Sequence, residues 1–519
     1  MKSFSHISSH IVRAGVIAVS CAVAGCAVGP STAVHPVVAP ISHITDSAVP
    51  PAARAFLDSL ATARAHDTVV TPPPGVSTPA TQALATPTPR ALSTPLALQL
   101  ASSTDLTWRD IVRDPTLVAL IDTALVHNTD LRLAQARITE YRADRGASIG
   151  PFFPQITANA AGSRNQVSFA GSAPIKYNAI SATGNVSWEL DFWGRIRRGE
   201  QAANFDLLGR EEDARATQLT LVSDVATAYL QLRQLDESMR VAEATRAAGV
   251  AVLALAQRRF DQGQISELDV RQFEAQVADP AARLAQFALQ RRQQENALSL
   301  LLGQPPGNIP RGQPLGDVIQ SVSVPDSLPG ALIARRPDVL RARRDLQAAL
   351  ARVGVAVANR FPTITVGGQY GAQRPQLSDL FGGAGDIYTA QVGLSFPLFT
   401  GGRLQNEQRA ARARADEAKV QYDQTVLSAL REAADALAGV RLGRDEFVAD
   451  QTQVRALSIA ASIAERRYAS GISSYLEVLT AEQSLFNAQL NLVQVEQQYL
   501  SATVQLYKAL GGSWGNETH

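Results

Sequence analysis

Histidine is almost missing from the body of this chain. All seven lie at positions 5, 10, 36, 43, 66, 127 and 519, so no imidazole occurs between Leu131 and Thr518. The only cysteines are Cys21 and Cys26. Zinc sites and His-based proton transfer or nucleophile activation draw on these residue types. No enzyme is expected here, and no cofactor or metal. Charge of one sign is missing too: 48 basic and 47 acidic residues leave a formal net charge of +1, which gives nucleic acid no reason to bind. Aromatics make up 6%. Beyond the first residues, no stretch offers about 18 uncharged apolar residues, so no helix is expected to span a bilayer. A crossing, if there is one, has to be made by strands.

What is present is a repeat. Phe361-Pro362 stands 208 residues after Phe153-Pro154, and the same offset relates Gly194-Arg195 to Gly402-Arg403. It also relates Arg258-Arg259 to Arg466-Arg467, Gly263 to Gly471, and Leu302-Gly303 to Leu510-Gly511. Two copies of one large unit are expected, at 108–303 and 316–511, rather than a short solenoid repeat.

Residues 1–25 read as an export signal, with Lys2 and Arg13 around a polar start and a short apolar run from Ile17 to Ala24. The run ends Val23-Ala24-Gly25-Cys26, which resembles a bacterial lipobox and makes Cys26 the expected lipidation site. Ala27 follows it, and what is known of lipoprotein sorting then implies the outer membrane. From 26 to about 107 the chain is rich in Pro, Ala and Thr, as in Thr71-Pro72-Pro73-Pro74-Gly75, and reads as an extended tether.

Apolar residues recur at helical spacing from Asp114 to Arg145. The period then changes. In Asn185 to Phe192, apolar Val186, Trp188, Leu190 and Phe192 alternate with polar Asn185, Ser187, Glu189 and Asp191, a strand with one wet and one apolar face. Gln155–Ala160, Thr363–Tyr370 and Thr389–Phe399 read alike, each near the length a tilted strand needs to cross a bilayer. On this reading Glu189 and Asp191 face a lumen. Long helices are expected at Gly199–Phe260 and Leu404–Tyr468, roughly 90–100 Å each at 1.5 Å per residue. Their near-heptad stripes, Leu219, Val222, Ala226, Tyr229, Leu232 and Leu427, Leu430, Ala434, Leu437, Val440, argue helix-on-helix packing. Each ends at a turn glycine, Gly263 or Gly471, with arginines opposing the helix dipole. A second helix returns to Leu302 and to Leu510. Pro280 sits inside the first returning helix, where a kink is expected.

The fold class is α+β. Four amphipathic strands cannot close a barrel, and open edges in lipid leave backbone groups unsatisfied. Two copies give a barrel too narrow to conduct; three give twelve strands and a lumen. A pore-free periplasmic coiled-coil scaffold would not explain the alternating strands.

The combined motifs resemble the TolC/OprM-type outer-membrane efflux channels. They are Phe361-Pro362-x-Ile364, Phe399-Thr400-Gly401-Gly402-Arg403, Arg467-Tyr468-x-x-Gly471-x-x-x-Tyr475-Leu476 and the tail Leu506 to Trp514. The lipobox is similar to that of the family's lipoprotein branch. The resemblance covers about 108–515. It implies a homotrimer whose twelve-stranded membrane β-barrel continues into a long periplasmic α-helical barrel. It also implies a periplasmic adaptor and an inner-membrane pump of the resistance-nodulation-division type as partners, with outer-membrane lipid around the strands. A type I protein-secretion duct, which shares the fold, stays open as the alternative. Carried over by position, Tyr468 and Asp269 belong to a closed constriction at the periplasmic turns; their mates 208 residues away, Phe260 and Glu477, complete the expected gate. For these four, two readings stand: aromatics that staple each turn beside acids that cap a helix, or groups that three protomers bring together around an axis.

Overall fold

The computed structural model describes residues 107–512, apart from 169–170, 172, 321, 324–326, 380–381 and 383–385, together with the short strands His43–Thr45 and Leu96–Ala97. Cys26, the signal, most of the tether and Trp514 lie outside the described residues.

Helices α1 (Pro115–His127) and α2 (Thr129–Ile149) lead into strands β1 (Gln155–Val167) and β2 (Ile175–Leu190). A 67-residue helix follows, α3 (Arg195–Asp261), then α4 (Glu267–Leu301). The second copy runs α5 (Pro337–Ala358), β3 (Thr363–Arg374), β4 (Asp386–Ser395), α6 (Arg403–Ala469, also 67 residues) and α7 (Tyr475–Ala509). The starts of α2, β1, α3 and α4 and those of α5, β3, α6 and α7 differ by the same 208 residues, so the repeat is structural.

The predicted helix 114–145 is two helices. Asn128 breaks it: its side-chain oxygen accepts from the N–H groups of Asp130 (2.9 Å) and Leu131 (3.0 Å), capping α2, while its amide donates to the Leu301 carbonyl. Two predicted strands are shorter than expected at their ends. β4 stops at Ser395, short of Pro397, which has no N–H for a ladder, and β2 stops at Leu190.

Two compact units emerge. One comprises Ala134–Asp213 and Asp338–Thr425. Its core is the antiparallel sheet β1-β2-β3-β4, with β1 and β4 at the edges. The register aligns Asn185, Gln369 and Thr389 on one face, then Ser187, Gly367 and Gln391. The other face aligns Trp188, Val366 and Val392, then Leu190, Ile364 and Leu394. One face is polar and the other apolar, as alternation requires. Beside the sheet, small side chains let helices approach closely: Ala349 and Val353 of α5 pack with Ala411 and Ala415 of α6. Ion pairs Arg145–Glu200 (3.1 Å) and Arg341–Asp213 (3.2 Å) hold α2 and α5 to α3.

The other unit runs to Leu133, then takes in Ala214–Pro337 and Val426 onward. The first stripe is buried throughout, from Leu219 to Leu232. The second is not: Leu437 and Val440 are buried, but Leu427 is 59% exposed. Among the described residues helix α1 has no α-helical counterpart in the second copy, where Ser327–Pro329 is a short strand and Gly330–Arg335 a 3₁₀ segment.

Candidate functional site

Two places gather the predicted residues. At the base of the sheet, β2 turns into α3 through Asp191-Phe192-Trp193-Gly194. Trp193 stacks on Phe361, with ring centroids 4.7 Å apart, and its indole N–H donates to the Pro362 carbonyl at 2.7 Å. Glu189 belongs to the polar face, and its carboxylate takes two hydrogen bonds from the Arg195 guanidinium, both at 2.8 Å. Asp191 lies beyond the strand. It accepts from the N–H groups of Ile196 and Arg197, each at 2.9 Å, and so closes the first turn of α3. Both acids therefore have protein partners. The repeat-mates of Glu189 and Asp191 are Pro397 and Phe399, so α6 begins without this device, and Phe399 is 92% exposed.

The second place is the pair of turns. Gly263 and Gly471 each have φ +71°, a left-handed conformation that a Cβ disfavours. Around each, two backbone bonds close a helix end. Gly263 N–H donates to the Phe260 carbonyl and Gln264 N–H to that of Arg259; Gly471 and Ile472 do the same with Tyr468 and Arg467. This is the Schellman arrangement.

Asp269 forms a capping box. It accepts from the Ser266 N–H at 3.0 Å and the Ser266 hydroxyl at 2.8 Å, and its own N–H donates back to that hydroxyl. Glu477 instead pairs with Arg467 at 3.2 Å. Phe260 is 42% exposed. Tyr468 is half-buried in a cluster that joins Ala256, Phe273, Ala464, Tyr475 and Val478, so α3, α4, α6 and α7 converge there. It meets Tyr475 edge-on at 5.5 Å, with the Arg259 guanidinium 5.5 Å from its ring.

Sequence reasoning passed over the centre of this cluster. Tyr475 packs on Phe273, with centroids 3.7 Å apart, and its hydroxyl donates to the side-chain oxygen of Gln276. The Gln276 amide in turn donates to Glu482. Burial pushes the Glu482 carboxyl above its usual range against the bond from Gln276, and the neighbouring Glu465 carboxylate pushes it further. Burial likewise raises the Tyr475 hydroxyl. The repeat could not flag this pair, because the mates of Phe273 and Tyr475 are Ala481 and Glu267.

Among the described residues no three His, Cys, Asp or Glu side chains are grouped to hold a metal, and no helix is long and apolar enough to cross a membrane. A four-stranded sheet with one polar and one apolar face, continued by two very long helices per chain, suits a membrane-embedded duct.

The comparisons with known proteins agree with this geometry. A family model described as outer membrane efflux protein matches residues 120–304 and 328–512, again 208 apart. The chain is 34% identical over 410 residues to the solvent efflux pump outer membrane protein SrpC of Pseudomonas putida, across 78% of this chain and 87% of that one. It is 32% identical over 408 residues to the cation efflux system protein CusC of Escherichia coli, across 78% and 88%. Among solved structures, CusC superposes with a TM-score of 0.75 at 30% identity, over 82% of this chain and 98% of that one. The outer-membrane channel OprN gives 0.74 at 30% identity, over 77% and 91%. With both copies of the repeat matched and the fold shared from strands to helical turns, this chain belongs to the outer membrane efflux protein family.

Proposed function

We propose that the chain is the exit channel of a tripartite efflux system, working as a homotrimer with a periplasmic adaptor and an inner-membrane pump of the resistance-nodulation-division type. The observation that carries this is the sheet register. Four strands with one apolar and one polar face and two open edges are incomplete in lipid until other copies pair with β1 and β4. Three copies supply twelve strands, enough for a lumen. Glu189 would then lie on the lumen side, beside Arg195. The exposed Leu427 on α6 gives a neighbouring copy an apolar contact. The cargo is a small toxic compound. Relatives are named for solvents, toluene, antibiotics and cations.

Cys26 would carry a lipid that anchors the tether to the outer membrane, a reading that rests on the Val-Ala-Gly-Cys run. A diacylglyceryl-modified cysteine at the mature N-terminus is the expected mass; an unmodified terminus cut elsewhere overturns it. At the other end, Phe260, Asp269, Tyr468 and Glu477 sit at or beside the two turns and would form the closed entrance that the adaptor engages.

The test of the main reading is direct. Outer-membrane fractions should yield heat-modifiable trimers that conduct in planar bilayers, and deleting the gene should sensitise cells to small toxic compounds. Monomers confined to the periplasm, without conductance, would sink the channel and leave a scaffold.

A further inference from the structure

The contact between the two repeats inside one chain is a template for the contact between chains. Both strand hairpins share one register: Gln155 faces Ser187 in the first and Thr363 faces Ser395 in the second, each residue shifted by 208. Between the hairpins, Leu190 of β2 faces Ile364 of β3. Moving Leu190 forward by 208 and Ile364 back by 208 gives Leu398 and Ile156. Ile156 lies on the edge strand β1, and Leu398 just beyond the edge strand β4. Both are exposed within the single chain. β2 runs as far as Leu190, whereas β4 stops at Ser395, three residues before the mate of Leu190. The β1 strand of a neighbouring chain is the partner β4 lacks there.

The rings at this level are unequal. Inside the chain Trp193 stacks on Phe361. The mate of Phe361 is Phe153, which is 62% exposed. The mate of Trp193 is Gly401, with φ +57°, where a tryptophan would be strained; an added Cβ there would meet nothing within 4 Å. The space is open and the ring is missing. Two residues earlier stands the exposed Phe399, in the place of Asp191. The second junction has given up both the capping acid and the tryptophan, and it presents a ring outward instead.

We propose that Phe399 of one copy stacks on Phe153 of the next, an aromatic pair that stands in across the seam for Trp193 and Phe361, with Leu398 facing Ile156 beside it. This rests on the trimeric-channel reading and adds to it the register and the side chains that fix the seam. A slip of one residue would turn every side chain to the wrong face. A slip of two keeps the faces correct, so alternation alone does not exclude it; separating two rings does. Pro397 gives a ladder no N–H at this point, so the end of the seam leans on side chains.

Disulfide trapping in outer membranes tests the register. Leu398→Cys with Ile156→Cys should link copies to one another on non-reducing gels, because directly opposed residues bring their Cβ atoms within disulfide reach. Leu398→Cys with Ala158→Cys, two residues out of register, should not. Well-formed trimers that link at Ala158, or at neither position, overturn the seam and leave the channel reading standing; monomers that link at neither take down both. Trimer lifetime in detergent tests the rings. Phe399→Ala and Phe153→Ala should each shorten it about fivefold, the worth of one aromatic pair, and the double variant no further than either single. Phe399→Tyr, which keeps a ring, should stay near the wild type. Losses that multiply in the double variant would mean that the rings do not meet, as when Phe399 faces lipid, and overturn the pair.

Discussion

The hydroxyl of Tyr229 donates to the carboxylate of Asp114 at 2.9 Å, across 115 residues of sequence, and both side chains are fully buried. The same hydroxyl accepts from the Gly312 N–H at 2.8 Å, while Asp114 also accepts from the N–H groups of Thr116 and Gln313. A buried carboxylate is tolerable only with its bonds satisfied, so the residues before α1, the long helix and the segment between the repeats are joined at one point. Tyr229→Phe should cost about 1–3 kcal/mol, the penalty for stranding a buried polar partner. Gly312→Ala should be at least as harmful, because its Cβ would lie 2.0 Å from an Asp114 oxygen. Thermal unfolding in detergent, followed by helical circular dichroism, checks both; melting temperatures equal to wild type would remove the lock.

The junction of β2 and α3 gives an ordered series. Asp191→Ala removes the acceptor for two helix N–H groups and should destabilise by about 1 kcal/mol. Val186→Arg puts charge on the apolar face and should cost about 2–4 kcal/mol at mid-membrane depth. Glu189→Gln keeps a hydrogen-bonding partner for Arg195 on the polar face and should be mildest. Trimer yield in outer-membrane fractions ranks the three; equal losses for Val186→Arg and Glu189→Gln would mean the faces are assigned the wrong way round.

Much of this was legible in residue pattern. The repeat located each long element of the second copy from the first, since helix starts and turn glycines obey one offset. Alternation identified the faces of β2 and β4 because period two survives whatever the strand packs against. The acids were harder. In Asn185 to Phe192, Asp191 obeys the alternation yet lies past the strand, where it caps α3; capping geometry competes with strand pattern over the last two residues. Asn128 hid a helix break inside an unbroken apolar period. Tyr475, Gln276 and Glu482 were invisible to the repeat because their bonds cross between copies instead of recurring within each.

The gate residues call for a comparison that separates capping from gating. Asp269→Ala removes both a capping bond and a charge, whereas Ser266→Ala removes the cap alone, each at about 0.5–2 kcal/mol. If the carboxylate restrains a closed entrance, Asp269→Ala with Tyr468→Phe should raise single-channel conductance while Ser266→Ala leaves it unchanged. Glu477→Gln should spare trimer yield, since an exposed pair such as Arg467–Glu477 contributes about 0–1 kcal/mol. Conductance that responds alike to Asp269→Ala and Ser266→Ala would make Asp269 a cap and nothing more.

Glu482 sets a pH dependence whose sign follows from its surroundings. It faces Gln276 of α4, which also carries Asp279 and Arg283, with Glu465 on α6 and Tyr475 on the same face of α7 two turns earlier. Burial outweighs the bond from Gln276 and lifts the carboxyl above its ordinary range. The folded state therefore holds this proton more tightly than the unfolded chain does. By linkage its contribution is complete below the unfolded glutamate value and is lost as pH rises through the raised one. Local stability at the turns should thus fall as pH rises above the ordinary glutamate range, with the packing of α4 against α7 loosening first. Protection factors for amides in 475–486, measured on intact trimers as pH rises from the ordinary glutamate range upward, should decline in the wild type. In Glu482→Gln, which keeps an acceptor for Gln276 and cannot ionise, they should stay level. A decline of equal slope in that variant would assign the pH response to other groups at the turns.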